Sequence, residues 1–263
     1  MQKNKPLATY CLLGVNVALY FLSYVFLPGG NLLEQTFPLF FPENPAFQPW
    51  QFVTSMFMHG STTHLFMNMF GLFSFGVVLE SIWGAKRFLI FYFTVGIGAG
   101  IIYTGISYME YNANFQALLT AGLSPEQITE ALSVNTLSQL ERTMQVFLST
   151  ALEVMDPETF IEFWQTYNIR MVGASGAIYG ILTAFGILFP DAKLSLIFLP
   201  IPVAAKYFIP AILLLDLFSG VTGFSIFGGN IAHFAHIGGA IIGFLLMLLW
   251  RKRGKDSQLV VQA

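Results

Sequence analysis

The segment VGASGAIYGILTAFGILF, residues 172–189, combines a long apolar run with a serine near its start. It carries no charge over a length close to the roughly 20 residues that an α-helix needs to cross a bilayer. Ser175 lies between Gly173 and Gly176, and a polar side chain at membrane depth needs a partner or water. The segment therefore predicts a membrane helix with a functional group near one end.

Five further apolar segments have a similar length, and the composition of the whole chain agrees with them. Hydrophobic residues make up 55% of the 263 positions and charged residues 10%, against about a quarter charged in soluble domains. Helices satisfy their own backbone groups in lipid. We predict an all-α, polytopic membrane protein in the lipid bilayer, with six transmembrane helices at residues 7–27, 61–80, 88–106, 172–189, 203–219 and 231–250.

Basic residues are distributed unevenly between the two ends of these spans. Ten of the twelve Lys and Arg residues lie at the ends that alternate to one side, and cytoplasmic loops retain such residues. This asymmetry predicts that both termini are cytoplasmic and favours a bacterial inner membrane, although another membrane of the same polarity gives the same pattern. No basic patch with interleaved aromatic residues indicates a nucleic-acid partner.

The spans divide the chain into four predicted parts. They are residues 1–106, with three spans and an outer-leaflet loop at 28–60; residues 107–170, an extracytoplasmic helical insertion; residues 171–250, with the last three spans; and residues 251–263, a cytoplasmic tail.

The insertion has two helix-start patterns of its own. Ser124 begins a capping pattern followed by apolar residues at helical spacing as far as Leu148. Asp156 begins a second, shorter helix that ends near Tyr167. We predict an acidic helical pair that packs on the protein or on the outer leaflet. It is either a tolerated insertion or a gate for substrates.

Three polar residues share one depth in three spans that run in the same direction. Ser175, His236 and His64 lie about 24, 22 and 24 Å from the inner ends of their spans, at 1.5 Å per residue. A serine hydroxyl becomes a nucleophile when a base accepts its proton, and a neutral imidazole is the usual base. The shared depth therefore predicts a Ser175–His236 pair.

Further residues near this depth fit supporting roles. Ser175 lies at a helix start, where free N–H groups and the helix dipole favour an oxyanion. His64 and Asn68 are four residues apart and share a helix face, so they are candidate donors to that oxyanion. Tyr179 shares a face with Ser175 and is expected to pack against the imidazole of His236.

Small residues repeat at a spacing of four on two of these spans. Gly176 and Gly180 lie on one, and Gly239 and Gly243 lie on the other. Such stripes let membrane helices approach closely, as a direct hydrogen bond between serine and histidine requires.

Three segments together resemble the signatures of the rhomboid intramembrane serine proteases, in the same order along the chain. They are HGSTTHLFMN with His59, His64 and Asn68; GASG with Gly173, Ser175 and Gly176, followed by Tyr179; and AHIGGAIIG with His236, Gly239 and Gly243.

The resemblance implies a Ser175–His236 dyad without a catalytic aspartate. It also implies an oxyanion site formed by His64, Asn68 and the Ser175 N–H, with no cofactor or metal. The activity implied is cleavage of peptide bonds in or beside the transmembrane helices of membrane-protein substrates. Gln51 stands where many members have arginine, and this difference is expected to affect how the outer loop is anchored.

The remaining polar residues leave other functions open. A catalytically silent rhomboid-like chaperone would not need both Ser175 and His236. His64, His233 and His236 together would form a metal site for a transporter or metallohydrolase. Otherwise His233 and His59 have supporting roles, and Glu80 and Asp216 are expected to cap or pair locally, near the ends of their spans.

Overall fold

A computed structural model describes residues 5–27, 32–134, 145–196, 199–223 and 232–252. The helices are α1 Leu7–Phe21, α2 Leu32–Thr36, α3 Gln51–Thr54, α4 Thr62–Gly71, α5 Val77–Trp83, α6 Ala85–Thr120, α7 Pro125–Leu132, α8 Gln145–Val154, α9 Pro157–Tyr167, α10 Ser175–Leu188, α11 Ala205–Thr222 and α12 His233–Lys252. Two antiparallel strand pairs accompany them: β1 Leu39–Phe40 with β2 Arg170–Met171, and β3 Lys193–Leu196 with β4 Leu199–Ala204.

Most of the predicted spans are present as long apolar helices. Five in the described ranges are long and apolar enough to cross a membrane: Leu7–Tyr24, Thr62–Trp83, Ala85–Thr120, Ala205–Thr222 and His233–Arg251. The fourth predicted span is α10, an apolar helix of 14 residues that is about 21 Å long. The predicted class, an all-α polytopic membrane protein, is confirmed. The six crossings and the cytoplasmic termini stay predictions, and residues 253–263 of the tail lie outside the described residues.

Helix α6 is much longer than the span predicted within it. Its 36 residues extend over about 54 Å, whereas the hydrocarbon core of a bilayer is about 30 Å thick. The boundary predicted between residues 106 and 107 therefore falls inside one continuous helix. Tyr111 and Leu118, beyond that boundary, are buried against the insertion, which explains why the helix continues.

The insertion packs on the end of α6 around an apolar core of its own. This core joins α6, α7, α8, α9 and the outer loop, and it comprises Phe41, Tyr111, Leu118, Leu123, Ile128, Ala131, Leu132, Phe147, Ala151, Met155, Phe160, Phe163 and Tyr167. The insertion thus rests on the protein, one of the two surfaces that we predicted for it.

Both predicted helix starts of the insertion are present, but its first helix is shorter than predicted. The Ser124 hydroxyl caps α7 in a capping box, and the Asp156 carboxylate accepts the Thr159 N–H at 2.9 Å to cap α9. The prediction of one helix through Leu148 is wrong, because α7 ends at Leu132. Residues 135–144 lie outside the described residues, and α8 follows them.

One side chain of α9 and one from the residue that follows it explain where α7 ends. The Asn168 amide donates to the Leu132 carbonyl at 2.8 Å, and the Trp164 indole N–H donates to the Val134 carbonyl at 3.2 Å. The carbonyls at a helix end lack partners within the helix. Residues distant in sequence satisfy them here, so the apolar spacing alone does not fix this boundary.

The outer loop is tied to the chain that enters α10. Leu39 and Phe40 of β1 pair with Met171 and Arg170 of β2, and the Asn44 amide donates to the Tyr167 carbonyl at 3.0 Å. Residues 28–31 of the predicted loop lie outside the described residues. The part that is described therefore helps to fix the segment that immediately precedes Ser175.

Gln51 anchors this loop, at the position where the resemblance leads us to expect an arginine. Its buried amide group donates to the carbonyls of Ala46 and Thr36 at 2.8 and 3.1 Å. Its Oε1 atom accepts the N–H groups of Gln48 and Phe40 at 3.0 and 3.3 Å. An amide carries both donors and an acceptor, so one side chain satisfies four backbone groups of the loop.

We expect Gln51→Leu to lower the free energy of unfolding by about 2–4 kcal/mol, because it leaves buried backbone groups without partners. Thermal unfolding of the purified protein in detergent measures this loss. Gln116→Leu, on the exposed surface of α6, is the matched control and should change stability by no more than about 0.5 kcal/mol. Equal stability of the two variants would contradict the anchoring role.

Glu80 ties α1 to the second predicted span. Its fully buried carboxylate accepts the N–H groups of Ala8 and Thr9 at 2.9 and 2.7 Å, and the Thr9 hydroxyl at 2.7 Å. These are first-turn groups of α1 that lack partners within the helix. Glu80 therefore caps α1, in agreement with the capping role expected for it.

Candidate active site

Ser175 is the first residue of α10 and follows a tight turn. Gly173 has a φ of 122°, a conformation that only glycine adopts without strain. A Cβ atom on Gly173 would lie 2.7 Å from Nε2 of His64, so the turn also needs a glycine for space. The Gly173 N–H donates to the Ser55 carbonyl at 2.9 Å, which fixes the turn against the outer loop.

His236 lies opposite Ser175 on α12. The Oγ atom of Ser175 and the Nε2 atom of His236 are 2.8 Å apart, which is within hydrogen-bonding distance. Ser175 is half-buried, and His236 is 9% exposed. The structure thus brings together Ser175 and His236, the two residues that we predicted to pair because they lie at the same depth.

A seam of glycines between α10 and α12 makes this contact possible. A Cβ atom on Gly239 would overlap the carbonyl oxygen of Gly176, and one on Gly243 would lie 2.7 Å from Cα of Gly180. The backbones of the two helices therefore touch. This is the close approach expected from small residues at a spacing of four.

Tyr179 stacks on the imidazole, as expected from its position one turn after Ser175. The ring centroids of Tyr179 and His236 are 4.2 Å apart, and the two planes differ by 12°. The stacking leaves the edges of the imidazole free and restricts its rotation. The tyrosine ring therefore supports the orientation of His236 toward Ser175.

Asp216 on α11 lies at the other edge of the same imidazole. Its two carboxylate oxygens are 3.3 and 3.2 Å from Nδ1 of His236, and Oδ1 is 2.5 Å from Nδ1 of His233. The local pairing expected for Asp216 is therefore with two histidines of α12. The resemblance implied a dyad without a catalytic aspartate, and the sequence did not single out His236 as the partner of Asp216.

His64 and Asn68 lie on α4, which begins with the Ser61 hydroxyl accepting the His64 N–H at 3.1 Å. The His64 ring lies beside the turn that precedes Ser175, since Nε2 of His64 would be 2.7 Å from a Cβ atom on Gly173. The buried Asn68 amide donates to the His64 carbonyl at 2.9 Å. An NH₂ group has a second hydrogen, so this bond leaves Asn68 one more donor.

His59 precedes the second membrane-spanning helix, which begins at Thr62, and its ring contacts that of His64. It is 1% exposed, and the two ring centroids are 5.1 Å apart in an edge-on arrangement. Burial, reinforced by the neighbouring His64, lowers the pKa of His59 to about 3. His59 is therefore neutral at physiological pH and packs against His64, which fits a supporting role.

A small cavity of about 20 Å³ adjoins Ser175 on the side of α6 and the outer loop. Its lining includes Ser55, Met56, Ala99, Gly173 and Ser175. A cavity of this size holds about one water molecule.

The structure groups different metal-ligating residues from those predicted. Among the described residues, one potential ligand atom from each of Asp216, His233 and His236 lies within 4.8 Å of the others. The sequence pattern suggested His64 in place of Asp216. A carboxylate and two imidazoles are a donor set that suits zinc, so this group is the candidate metal site in the part of the chain that the structure describes.

The sequence of the chain is similar to known proteins over most of its length. The Rhomboid domain family model matches residues 46–253. Presenilin-associated rhomboid-like protein A, mitochondrial, of Danio rerio is 28% identical over 81% of this chain and 43% of its own length. Rhomboid protein 1, mitochondrial, of Saccharomyces cerevisiae is 26% identical over 90% of this chain and 51% of its own length. The chain thus spans about half the length of these two relatives.

A bacterial protein matches over a shorter region. Rhomboid protease GluP of Bacillus subtilis is 28% identical over 38% of this chain and 20% of its own length. The relatives that match most of the chain carry mitochondrial names. The prediction of a bacterial inner membrane is therefore wrong. Charge asymmetry reports which side of a membrane retains the basic residues, not which membrane it is.

Proposed function

Because the chain belongs to the rhomboid family, we propose that it is an intramembrane serine endopeptidase. Its substrates are membrane proteins, which it cleaves in or next to their transmembrane helices. The observation that carries this proposal is the 2.8 Å contact between the Ser175 hydroxyl and Nε2 of His236. Such a pair has the geometry of a nucleophile with its base.

The chemistry proceeds in two steps at this pair. Nε2 of His236 accepts the Ser175 proton as Oγ attacks the scissile carbonyl, and the same proton then passes to the leaving amine. Water next attacks the acyl-enzyme while His236 again accepts and returns a proton. The oxyanion is held by the Ser175 N–H at the start of α10, together with donors from His64 and Asn68.

The surroundings of the pair support a reaction close to the membrane surface. Ser175 begins its helix, and the turn before it is bonded to the outer loop. A substrate helix that reaches this end of α10 unwinds most easily at small or helix-breaking residues. Given the names of its relatives, we place the enzyme in a mitochondrial membrane as a multi-pass protein.

A cleavage assay in liposomes tests this function. We expect the reconstituted protein to cut a single-span substrate at a bond in or beside its transmembrane segment, as mapped by mass spectrometry. A fluorophosphonate, which reacts with activated serines, should stop the cleavage, and a chelator should not. Loss of cleavage in the chelator and recovery with zinc would contradict the serine mechanism and favour a metallohydrolase of Asp216, His233 and His236.

A further inference from the structure

A continuous chain of polar contacts extends beyond the serine and its base. It begins at Nδ1 of His233, passes through the Asp216 carboxylate to Nδ1 of His236, and ends with Nε2 of His236 at the Ser175 hydroxyl. The four side chains come from three helices, α10, α11 and α12. Asp216 is the acidic member of this chain, and the dyad chemistry described above leaves it without a role.

We propose that Asp216 is a positioning residue that fixes the orientation and the tautomer of His236. This inference rests on the proposed function, because it assigns Asp216 a role in activating the same serine. With Asp216, the dyad becomes a serine–histidine–aspartate relay built on three membrane helices.

The hydrogen-bonding capacity of the carboxylate determines the tautomer. An ionised carboxylate only accepts hydrogen bonds, so the Nδ1 atom of His236 that faces it must carry the proton. Neutral imidazole has one protonated nitrogen. Nε2 is then left with its lone pair toward Ser175, which is the arrangement that a general base requires.

The proton balance follows from this arrangement. The Ser175 proton moves to Nε2, while the Nδ1 proton of His236 stays in its bond to Asp216. His236 becomes an imidazolium between Oγ of Ser175 and the Asp216 carboxylate, and Asp216 stabilises that charge without taking a proton. The leaving amine then takes the proton from Nε2, which restores the neutral imidazole and leaves Ser175 acylated for the attack of water.

Burial explains why Asp216 keeps this orientation. Asp216 is 8% exposed, and a buried carboxylate needs partners for its oxygens. His233 supplies one contact at 2.5 Å, while His236 lies within 3.3 Å of both oxygens. His233 therefore holds the carboxylate in place and acts on Ser175 only through it.

The packing of α11 against α12 favours the same arrangement. A Cβ atom on Gly220, one turn after Asp216, would lie 3.2 Å from Cβ of His233. The absence of a side chain at Gly220 lets the two helices approach where the carboxylate meets the histidines. The Tyr179 ring stacks on the same imidazole from α10, so ring stacking and the contact with Asp216 restrain His236 together.

The test is Asp216→Asn, which keeps the size of the side chain but offers an NH₂ group as well as an oxygen. Once the amide turns its NH₂ group to Nδ1, the proton moves to Nε2 and the base is blocked. We expect kcat to fall about 10²-fold. This is less than the roughly 10⁴-fold loss known for such a change in a soluble serine protease, because the Tyr179 ring still restrains the imidazole. KM and the melting temperature should stay close to those of the parent protein.

Ser219→Ala is the matched control, since Ser219 is also a buried polar residue of α11. Ser219→Ala should leave kcat within about twofold of the parent value.

His233→Gln should lower kcat by about tenfold, because the Asp216 carboxylate then loses one of the two histidines that hold it. Wild-type kcat in Asp216→Asn would overturn the proposal. So would a loss of activity that zinc restores after chelation, since Asp216 would then be a metal ligand.

Two further measurements separate this inference from the proposed function. The rate at which a fluorophosphonate labels Ser175 does not depend on a transmembrane substrate, and it should fall about 10²-fold in Asp216→Asn even if no substrate is cleaved. Nitrogen NMR of the four histidines reports the tautomer in the unmodified protein. A proton on Nδ1 of His236 is expected, and a proton on Nε2 would overturn the proposal even if Asp216→Asn did not fold.

Discussion

Ser175→Ala is expected to lower kcat by about 10⁴-fold or more, to the background of the assay. The hydroxyl at 2.8 Å from Nε2 of His236 is the attacking atom in the proposed reaction, and alanine removes it without adding volume. Loss of a serine nucleophile has an effect of this size or larger in soluble serine proteases. Cleavage of a single-span substrate by the reconstituted protein measures it.

The control for this loss is a serine distant from the site. Ser81 lies on α5 and donates its hydroxyl to the Val78 carbonyl at 2.7 Å, so Ser81→Ala should cut the substrate at the parental rate. Cleavage that persists in Ser175→Ala would contradict the proposed nucleophile.

His236→Ala provides an independent check on the same step. Residues that act as one unit have non-additive effects. We therefore expect His236→Ala to reach nearly the same residual rate as Ser175→Ala, and the double variant to lose little more. Losses that multiply in the double variant would mean that the serine and the histidine do not act together.

The central part of the site was predictable because each signal lies within one helix. The start of α10 and the fixed rise per residue place Ser175 at the depth of His236. The spacing of four places Tyr179 on the serine face. These rules concern single helices, and they do not depend on which helices become neighbours.

The role of Asp216 could not be derived in this way. Asp216 lies near the C-terminal end of α11, and only the packing of that helix against α12 brings its carboxylate to His233 and His236. A sequence signal exists, because an acid within an apolar span needs a partner. It does not say which of the polar residues on the other spans is that partner.

Tertiary contacts also explain the differences outside the site. α7 ends at Leu132 because Asn168, from a distant segment, caps its carbonyl. Gln51 anchors the loop because four backbone groups converge on one amide. Local propensity does not encode either arrangement, whereas the helix starts at Ser124 and Asp156 depend on adjacent residues and were predicted.

Gly239→Ala is expected to lower kcat by about 10²-fold or more through a single added methyl group. The new Cβ atom would overlap the carbonyl oxygen of Gly176 on α10. Neither atom can move away without its backbone, because a carbonyl oxygen belongs to the backbone and a Cβ atom is bonded directly to it. The helices must then separate by roughly an ångström. A displacement of about 1 Å in a catalytic geometry costs about 10²-fold, and the Ser175–His236 contact spans this same seam.

The separation should also be visible without substrate. Gly239→Ala should slow fluorophosphonate labelling of Ser175 and lower the melting temperature, because the seam is part of the core between α10 and α12. Gly105→Ala on α6 is the control, since a Cβ atom there meets nothing within 4 Å. Alanine is favoured over glycine inside a helix, so Gly105→Ala should retain full activity and stability. If both variants behaved alike, the close approach of α10 and α12 would not be what holds His236 against Ser175.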